Sequence, residues 1–304
     1  MRVSKALAAA RRDLDPTAEA GLAAYLEFQR ALFDMHEGAR DQITATLELV
    51  DRPALKARLS QGLPLLSFAQ LPIEAEWFAG LGVAMAQVLM RYYPDLEGQR
   101  LPITATDWIA LAERRFAQNQ AIPEPGHAEP SDQIHSPELV AGSDQGLVEE
   151  ASVSSRLAQT AGDLALRPYL VWAGEQVLSH VDQEAWKRAY CPVCGGTPDF
   201  ALLDEDTGAR HLACSRCNSQ WRYQRVGCPF CETPDYNQIV YYPSDDELYR
   251  LYVCKACRRY LKTLDLRKTS ASSAGPAGGR PVLLEIERIN TVTLDILALQ
   301  EGYR

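Results

Sequence analysis

Residues 191–231 read CPVCGGTPDFALLDEDTGARHLACSRCNSQWRYQRVGCPFC, and residues 254–257 read CKAC. These two segments hold all eight cysteines of the 304-residue chain. They fall into four C-x-x-C pairs: Cys191/Cys194, Cys214/Cys217, Cys228/Cys231 and Cys254/Cys257. Two residues between two thiols let a tight turn aim both sulfurs at one point. Two such turns supply the four soft ligands of a tetrahedral metal site. There are 19 residues between Cys194 and Cys214 and 22 between Cys231 and Cys254, at or near the usual distance between paired knuckles. The 10 residues between Cys217 and Cys228 are too few to fit comfortably. The spacing therefore pairs the knuckles in order. Site one is Cys191, Cys194, Cys214 and Cys217; site two is Cys228, Cys231, Cys254 and Cys257.

The stretch also reads as an internal duplication. Each half opens on a Cys-Pro knuckle and closes on a basic knuckle followed by an aromatic residue, Trp221 in the first and Tyr260 in the second. Each unit alone is too small to bury a core, so stabilisation by a metal is the physically sensible reading. Gly195 suits a turn that wraps sulfur with backbone N–H groups. Disulfides would need an oxidising compartment, and nothing in the sequence suggests secretion. A thioredoxin-like redox pair needs one C-x-x-C in a βαβ setting, not four in a row. Zinc is the default metal for four cysteine ligands, and a mononuclear iron fits the same thiolates.

The rest of the chain bounds the problem. It is 46% hydrophobic and 23% charged, ordinary for a soluble protein, and long enough for two or three domains. No apolar run is long enough to span a membrane, and Met1–Arg12 lacks the apolar core of a secretory signal. Clustered thiols on metals fit a reducing cytoplasm. The net charge of −9 lies entirely in residues 1–190, with 17 basic and 26 acidic side chains; residues 191–304 carry 14 of each. Arg216, Arg222, Arg225, Lys255, Arg258 and Arg259 crowd the second knuckles. They read as counter-charges and hydrogen-bond donors to thiolate. A nucleic-acid surface is the sharper alternative, but the acidic first half would repel a phosphate backbone.

Residues 18–50 show helical periodicity through Leu22, Tyr25, Phe28, Leu32 and Met35, with His36 as a half-buried surface residue beside that stripe. Further helices are predicted at 54–60, 73–92 and 107–118, and from about 149 to 188 with a bend or restart at Pro168. Residues 121–147, with four prolines and with His127 and His135, read as a mobile loop. Short strands are predicted at 199–203, 211–213, 221–226, 239–242, 248–253 and 260–266, and a terminal helix at about 289–300. The expected fold is α+β and multidomain: a helical domain (1–188), two small four-cysteine units (189–226 and 227–268), then a flexible connection and a C-terminal helix (269–304). No nucleophile–base pair or paired carboxylates can be placed in a cleft, so an enzyme is not expected.

In order and context these motifs resemble the FdhE family, the formate dehydrogenase accessory (formation) proteins. The resemblance rests on CPVCGGTP (191–198), RHLACSRCNSQWRYQR (210–225), CPFC (228–231) and CKAC with Tyr260-Leu-Lys262, and on TLDILALQEGY (293–303). It is strong over 188–304 and weaker over 18–120. It implies a non-enzymatic cytoplasmic assembly factor that contacts the catalytic subunit of respiratory formate dehydrogenase. It also implies rubredoxin-like metal units carrying two mononuclear ions on the eight cysteines, iron ahead of zinc. An electron-transfer or redox-sensing module is the alternative function, and a zinc-ribbon nucleic-acid binder a third.

Overall fold

The structure is a computed structural model, and it describes residues 16–45, 47, 52–118, 120, 155–182, 184–271 and 282–304. The loop expected at 121–147, with His127 and His135, lies outside the described residues, as does most of the 269–281 connection.

Among the described residues five helices form the N-terminal body: α1 (Pro16–Asp41), α2 (Arg52–Ser60), α3 (Ala75–Tyr92), α4 (Ala105–Gln118) and α5 (Arg156–Val177). Helix α5 is the hub, packed on α1, α3 and α4. The Ser155 hydroxyl accepts the Ala158 N–H and opens the helix. Ala158, Ala161, Gly162 and Ala165 let neighbouring helices come close, with Leu111 of α4 seated over Gly162. Leu157, Leu166, Tyr169 and Leu170 fill the surrounding layer, all buried. Arg115 of α4 pairs with Asp163 of α5 through its Nε, at 3.1 and 3.0 Å from the two carboxylate oxygens.

The periodicity placed most of these helix ends within a few residues, but the pattern read over 18–50 gives a helix that stops at Asp41. It also overran at the end of α5, which stops at Val177 instead of continuing to 188. A 3₁₀ turn (Leu178–His180) follows, and then the Asp182 carboxylate accepts from the Glu184 and Ala185 N–H groups to start a turn. Pro168 neither ends nor restarts the helix, which is continuous through it. Pro16 is the first residue of α1, a position where a missing N–H costs nothing.

Six strands follow: β1 (Pro198–Leu203), β2 (Arg210–Cys214), β3 (Gln220–Tyr223), β4 (Ile239–Pro243), β5 (Tyr249–Cys254) and β6 (Tyr260–Asp265). Each half of the duplication gives a three-stranded antiparallel meander. The two meanders join into one sheet of order β3-β2-β1-β6-β5-β4. The joint is a parallel pairing of β1 with β6, Phe200 opposite Lys262 and Leu203 opposite Asp265. The first strand of one unit thus meets the last strand of the other.

Two short helices, α6 (Leu284–Asn290) and α7 (Val292–Gln300), replace the single predicted terminal helix. Leu284 packs with Phe200, Leu202 and Leu264 beneath the joint. Leu294, Leu297 and Ala298 pack on Leu251 and Val253 of β5. Among the described residues no helix is long and apolar enough to cross a membrane.

Candidate metal centres

The same backbone turn occurs four times. The N–H four residues after the first cysteine of each pair donates to that cysteine's carbonyl: Gly195 to Cys191, Asn218 to Cys214, Glu232 to Cys228 and Arg258 to Cys254, at 2.9–3.3 Å. The residue making that bond always has positive φ: 76° at Gly195, 58° at Asn218, 52° at Glu232 and 61° at Arg258. This geometry turns the chain back so that backbone N–H groups face sulfur. Val193 N–H donates to Cys191 Sγ, Arg216 N–H to Cys214 Sγ and Phe230 N–H to Cys228 Sγ, each at 3.4 Å.

The knuckles bring the sulfurs together in two groups, Cys191/Cys194/Cys214/Cys217 and Cys228/Cys231/Cys254/Cys257, with the ligand atoms of each group within 4.8 Å of one another. In the first group the Cys191–Cys217 and Cys194–Cys214 sulfurs are 3.5 Å apart. In the second, Cys228–Cys257 is 3.6 Å and Cys231–Cys254 is 3.8 Å. These separations are too long for a disulfide, whose sulfurs lie about 2.05 Å apart. A tetrahedron of sulfurs about 2.3 Å from a central ion has edges of about 3.8 Å. Each group could therefore hold a metal ion in a four-thiolate site.

The charges around the first group fit such an occupant. The Nη1 and Nη2 atoms of Arg216 are buried without a hydrogen-bond partner, and the guanidinium carbon lies 5.6 Å from the centre of the Phe116 ring. An uncompensated buried cation is costly, and an anionic sulfur cluster beside it removes that cost. Cys194 is drawn well below the usual thiol value by hydrogen bonds from Cys191, Cys214 and Cys217 and by the Arg216 charge. Burial pushes Cys191 and Cys217 up. In the second group hydrogen bonding from Cys228 brings Cys257 down to about 5, while burial raises Cys231 to about 11.

The first group sits on the helical body. Leu65 N–H and Leu66 N–H donate to the carbonyls of Pro192 and Val193 at 2.9 Å, fixing the first knuckle to the loop after α2. The second knuckle is clamped by two arginines that the sequence did not flag. Arg288 of α6 holds Asp199 through Nε and Nη2 at 2.7 Å each, reaches Asn218 Oδ1 at 2.7 Å, and donates to the Cys214 carbonyl at 2.9 Å. Arg167 of α5 donates to the Ser215 carbonyl and to Asn218 Oδ1. Glu285 completes the network on Asn218 and Arg167. Burial works to raise the Glu285 pKa, but Arg167 and Arg288 outweigh it and hold it below the ordinary value. One signal pointed at Arg167: it is the only charge in the apolar run LALRPYLVWA, residues 164–173.

The second group is built differently. Arg210 of β2 donates to the Gly227 carbonyl at 2.9 Å, and Lys255 N–H donates to the Gln238 carbonyl at 2.8 Å. The Arg259 guanidinium lies 4.1 Å from the centre of the Phe230 ring. Of the other basic residues near the knuckles, Arg222 pairs with Glu184, and Arg258 donates to the carbonyls of Glu301 and Gly302. His211, the one histidine in the region, is outside both groups.

The fold and these groups define a class: a helical body carrying two tandem four-cysteine units that share one sheet. A family model described as the FdhE central domain matches residues 190–225. An FdhE homologue of Aquifex aeolicus is 33% identical over 142 residues, 45% of this chain and 46% of that protein, so the match spans less than half of the relative. FdhE homologues of Erwinia tasmaniensis and Edwardsiella ictaluri are 26% and 28% identical over 84% and 82% of this chain, and 72% of each relative. The crystal structure of the FdhE protein from Pseudomonas aeruginosa, 18% identical, aligns over 95% of this chain and 87% of that one with a TM-score of 0.48. The chain is thus similar to FdhE proteins along most of its length, and its first four-cysteine unit matches the model of the FdhE central domain.

Proposed function

We propose that this protein is a cytoplasmic, non-enzymatic maturation factor that binds the catalytic subunit of a respiratory formate dehydrogenase, and that its eight cysteines hold two mononuclear metal ions. The observation that carries the metal reading is the fourfold repeat of one knuckle, which converges eight sulfurs into two sets of four. The likeness to FdhE proteins supports the client. Iron is favoured over zinc on the resemblance to the family alone; both ions suit four thiolates in a tetrahedron. When bound, the ion supplies folding energy to its unit. The chain's own groups do the rest: knuckle N–H groups and Arg216 balance the thiolate charge, and Arg167 and Arg288 fix the second knuckle.

The reading is tested by purifying the chain without oxygen, measuring its metal, and passing a formate dehydrogenase catalytic subunit over the immobilised protein. Two ions per chain and retention of the subunit are expected. Retention no greater than for an unrelated enzyme would remove the client. A redox-sensing or electron-transfer role is the second reading, favoured by the partial exposure of Cys231 and Cys257. It requires absorption bands that bleach on reduction and return on oxidation; a colourless zinc protein would exclude it.

A further inference from the structure

The two sulfur groups are alike in local geometry and unlike in setting. All four cysteines of the first group are buried, at 0–2% exposure, and belong to the main hydrophobic core. Pro192, Val193, Gly195 and Gly196 of its first knuckle are buried as well. Both of its knuckles are bonded to distant parts of the fold: the first to Leu65 and Leu66, the second to Arg167 of α5 and Arg288 of α6. The Gly174 Cα of α5 is so close to the second knuckle that a Cβ there would come within 2.9 Å of the Cys217 carbonyl oxygen. Opening this group means separating the helical body from the sheet.

The second group faces outward. Cys231 and Cys257 are partly exposed, and the tip of the last knuckle, Lys255 and Ala256, is exposed. Its knuckles are held mostly from within the same unit, as by the Gln238 carbonyl, or by the segment after α7, where Arg304 N–H donates to the Arg258 carbonyl at 2.8 Å. A small cavity lined by Arg210, Cys228, Phe230, Cys254 and Arg259 adjoins it. Opening it needs only a local movement of the knuckle or of the segment after α7, and local openings cost far less than global unfolding.

We propose that the second centre is the exchange site of this protein, where a soft divalent ion enters and leaves and where small thiol-binding solutes reach sulfur, while the first centre is locked into the fold. This rests on reading both groups as metal centres. Exchange at Cys231 and Cys257 proceeds by stepwise replacement of protein thiolates with donors of the incoming chelator, with no change of oxidation state. The first centre lacks an outer face for the incoming donor and keeps its ion until the core opens.

The test uses the full chain loaded with zinc and mixed with excess 4-(2-pyridylazo)resorcinol, a coloured zinc chelator. Release in two phases is expected, one ion per phase, with the fast phase at least about tenfold faster. A brief pulse of iodoacetamide after the fast phase, read by peptide mass mapping, should modify Cys228, Cys231, Cys254 and Cys257 and spare Cys191, Cys194, Cys214 and Cys217. Cys231→Ser should abolish the fast phase and keep the slow one. The mapping is done on the unaltered chain, so it holds even where that variant folds poorly. Two ions leaving in a single phase, or alkylation of the first four cysteines in the pulse, would overturn the assignment alone. Fewer than two ions bound at the outset would overturn the reading of both groups as metal centres, and this proposal with it.

Discussion

Glu232 and Arg258 adopt the left-handed backbone that closes their knuckles, at φ 52° and 61°, although neither is glycine. That conformation costs about 1–2 kcal/mol for a residue with a Cβ. Glycine adds roughly 0.5–1 kcal/mol of unfolded-state entropy in return. Glu232 is exposed, so replacing it removes no core packing. Glu232→Gly should raise the stability of the metal-loaded protein by up to about 1 kcal/mol, and Glu232→Val should lower it. Thermal midpoints of the two variants decide this; equal midpoints would mean that the turn is not strained. Arg288 gives a second case. Arg288→Met would remove the ion pair to Asp199 of β1 and strip the Cys214 carbonyl of a donor. The expected loss is about 3 kcal/mol, and the slow phase of metal release should quicken more than the fast one. The cysteines and their grouping were legible because ligand spacing is a local property of sequence. The clamp was not, because Arg167 of α5, Asp199 of β1, Asn218 of the second knuckle, and Glu285 and Arg288 of α6 come from four separate segments and meet only after the sheet and α6 have docked.

At the scale of elements, α5 has two jobs: it is the core of the helical body and the floor of the first centre. Gly174→Ala places a methyl group against Ser219 Oγ and the Cys217 carbonyl, and should cost about 1–3 kcal/mol by overpacking. Zinc-release kinetics should show the slow phase accelerated and the fast phase unchanged; the reverse pattern would place α5 against the wrong centre. Helix α1 is fastened to α5 by His36, whose Nε2 lies 3.0 Å from the Leu164 carbonyl, so that nitrogen donates. Burial and then the nearby Arg167 charge lower the His36 pKa to about 3. An unfolded histidine titrates near 6.5, so below that pH the unfolded chain takes up a proton that the native chain refuses. Stability therefore falls as pH drops from about 6.5, with a slope approaching 1.4 kcal/mol per pH unit from this group. His211, also lowered by burial, adds in the same direction. His36→Gln keeps a donor for Leu164 and should flatten the dependence between about pH 6.5 and 5, seen in urea midpoints. An unchanged slope would show that His36 is free to charge in the native state. Helix and strand positions were legible from periodicity, to within a few residues except at the ends of α1 and α5. After α5 the apolar pattern continues into the turn at Asp182, which feeds Trp186 and Tyr190 into the core without a helix.

At the scale of the molecule, the two halves of the duplication form one sheet, and the docking of α6 and α7 covers it. The sequence showed two units but not their joining, because parallel pairing of β1 with β6 leaves no turn signature between them. Metal removal should therefore spread. Stripping both ions is expected to lose the near-ultraviolet signal of Trp221 and Trp186, which pack with the first group, while the far-ultraviolet helical signal of α1–α5 survives. A fully retained near-ultraviolet spectrum would show that the sulfur clusters fold without metal.

The β1–β6 joint also sets a clock. Phe200 pairs with Lys262, so 62 further residues must be made before β1 gains its neighbour. At roughly 5–20 residues per second on the ribosome, the β1 edge stands open for about 3–12 seconds. An open strand is an invitation to other chains. Nascent or truncated chains ending between β3 and β6 should self-associate through β1, as oligomers on gel filtration that the full chain does not form. The cell would meet this protein at its most adhesive just before its last strand arrives.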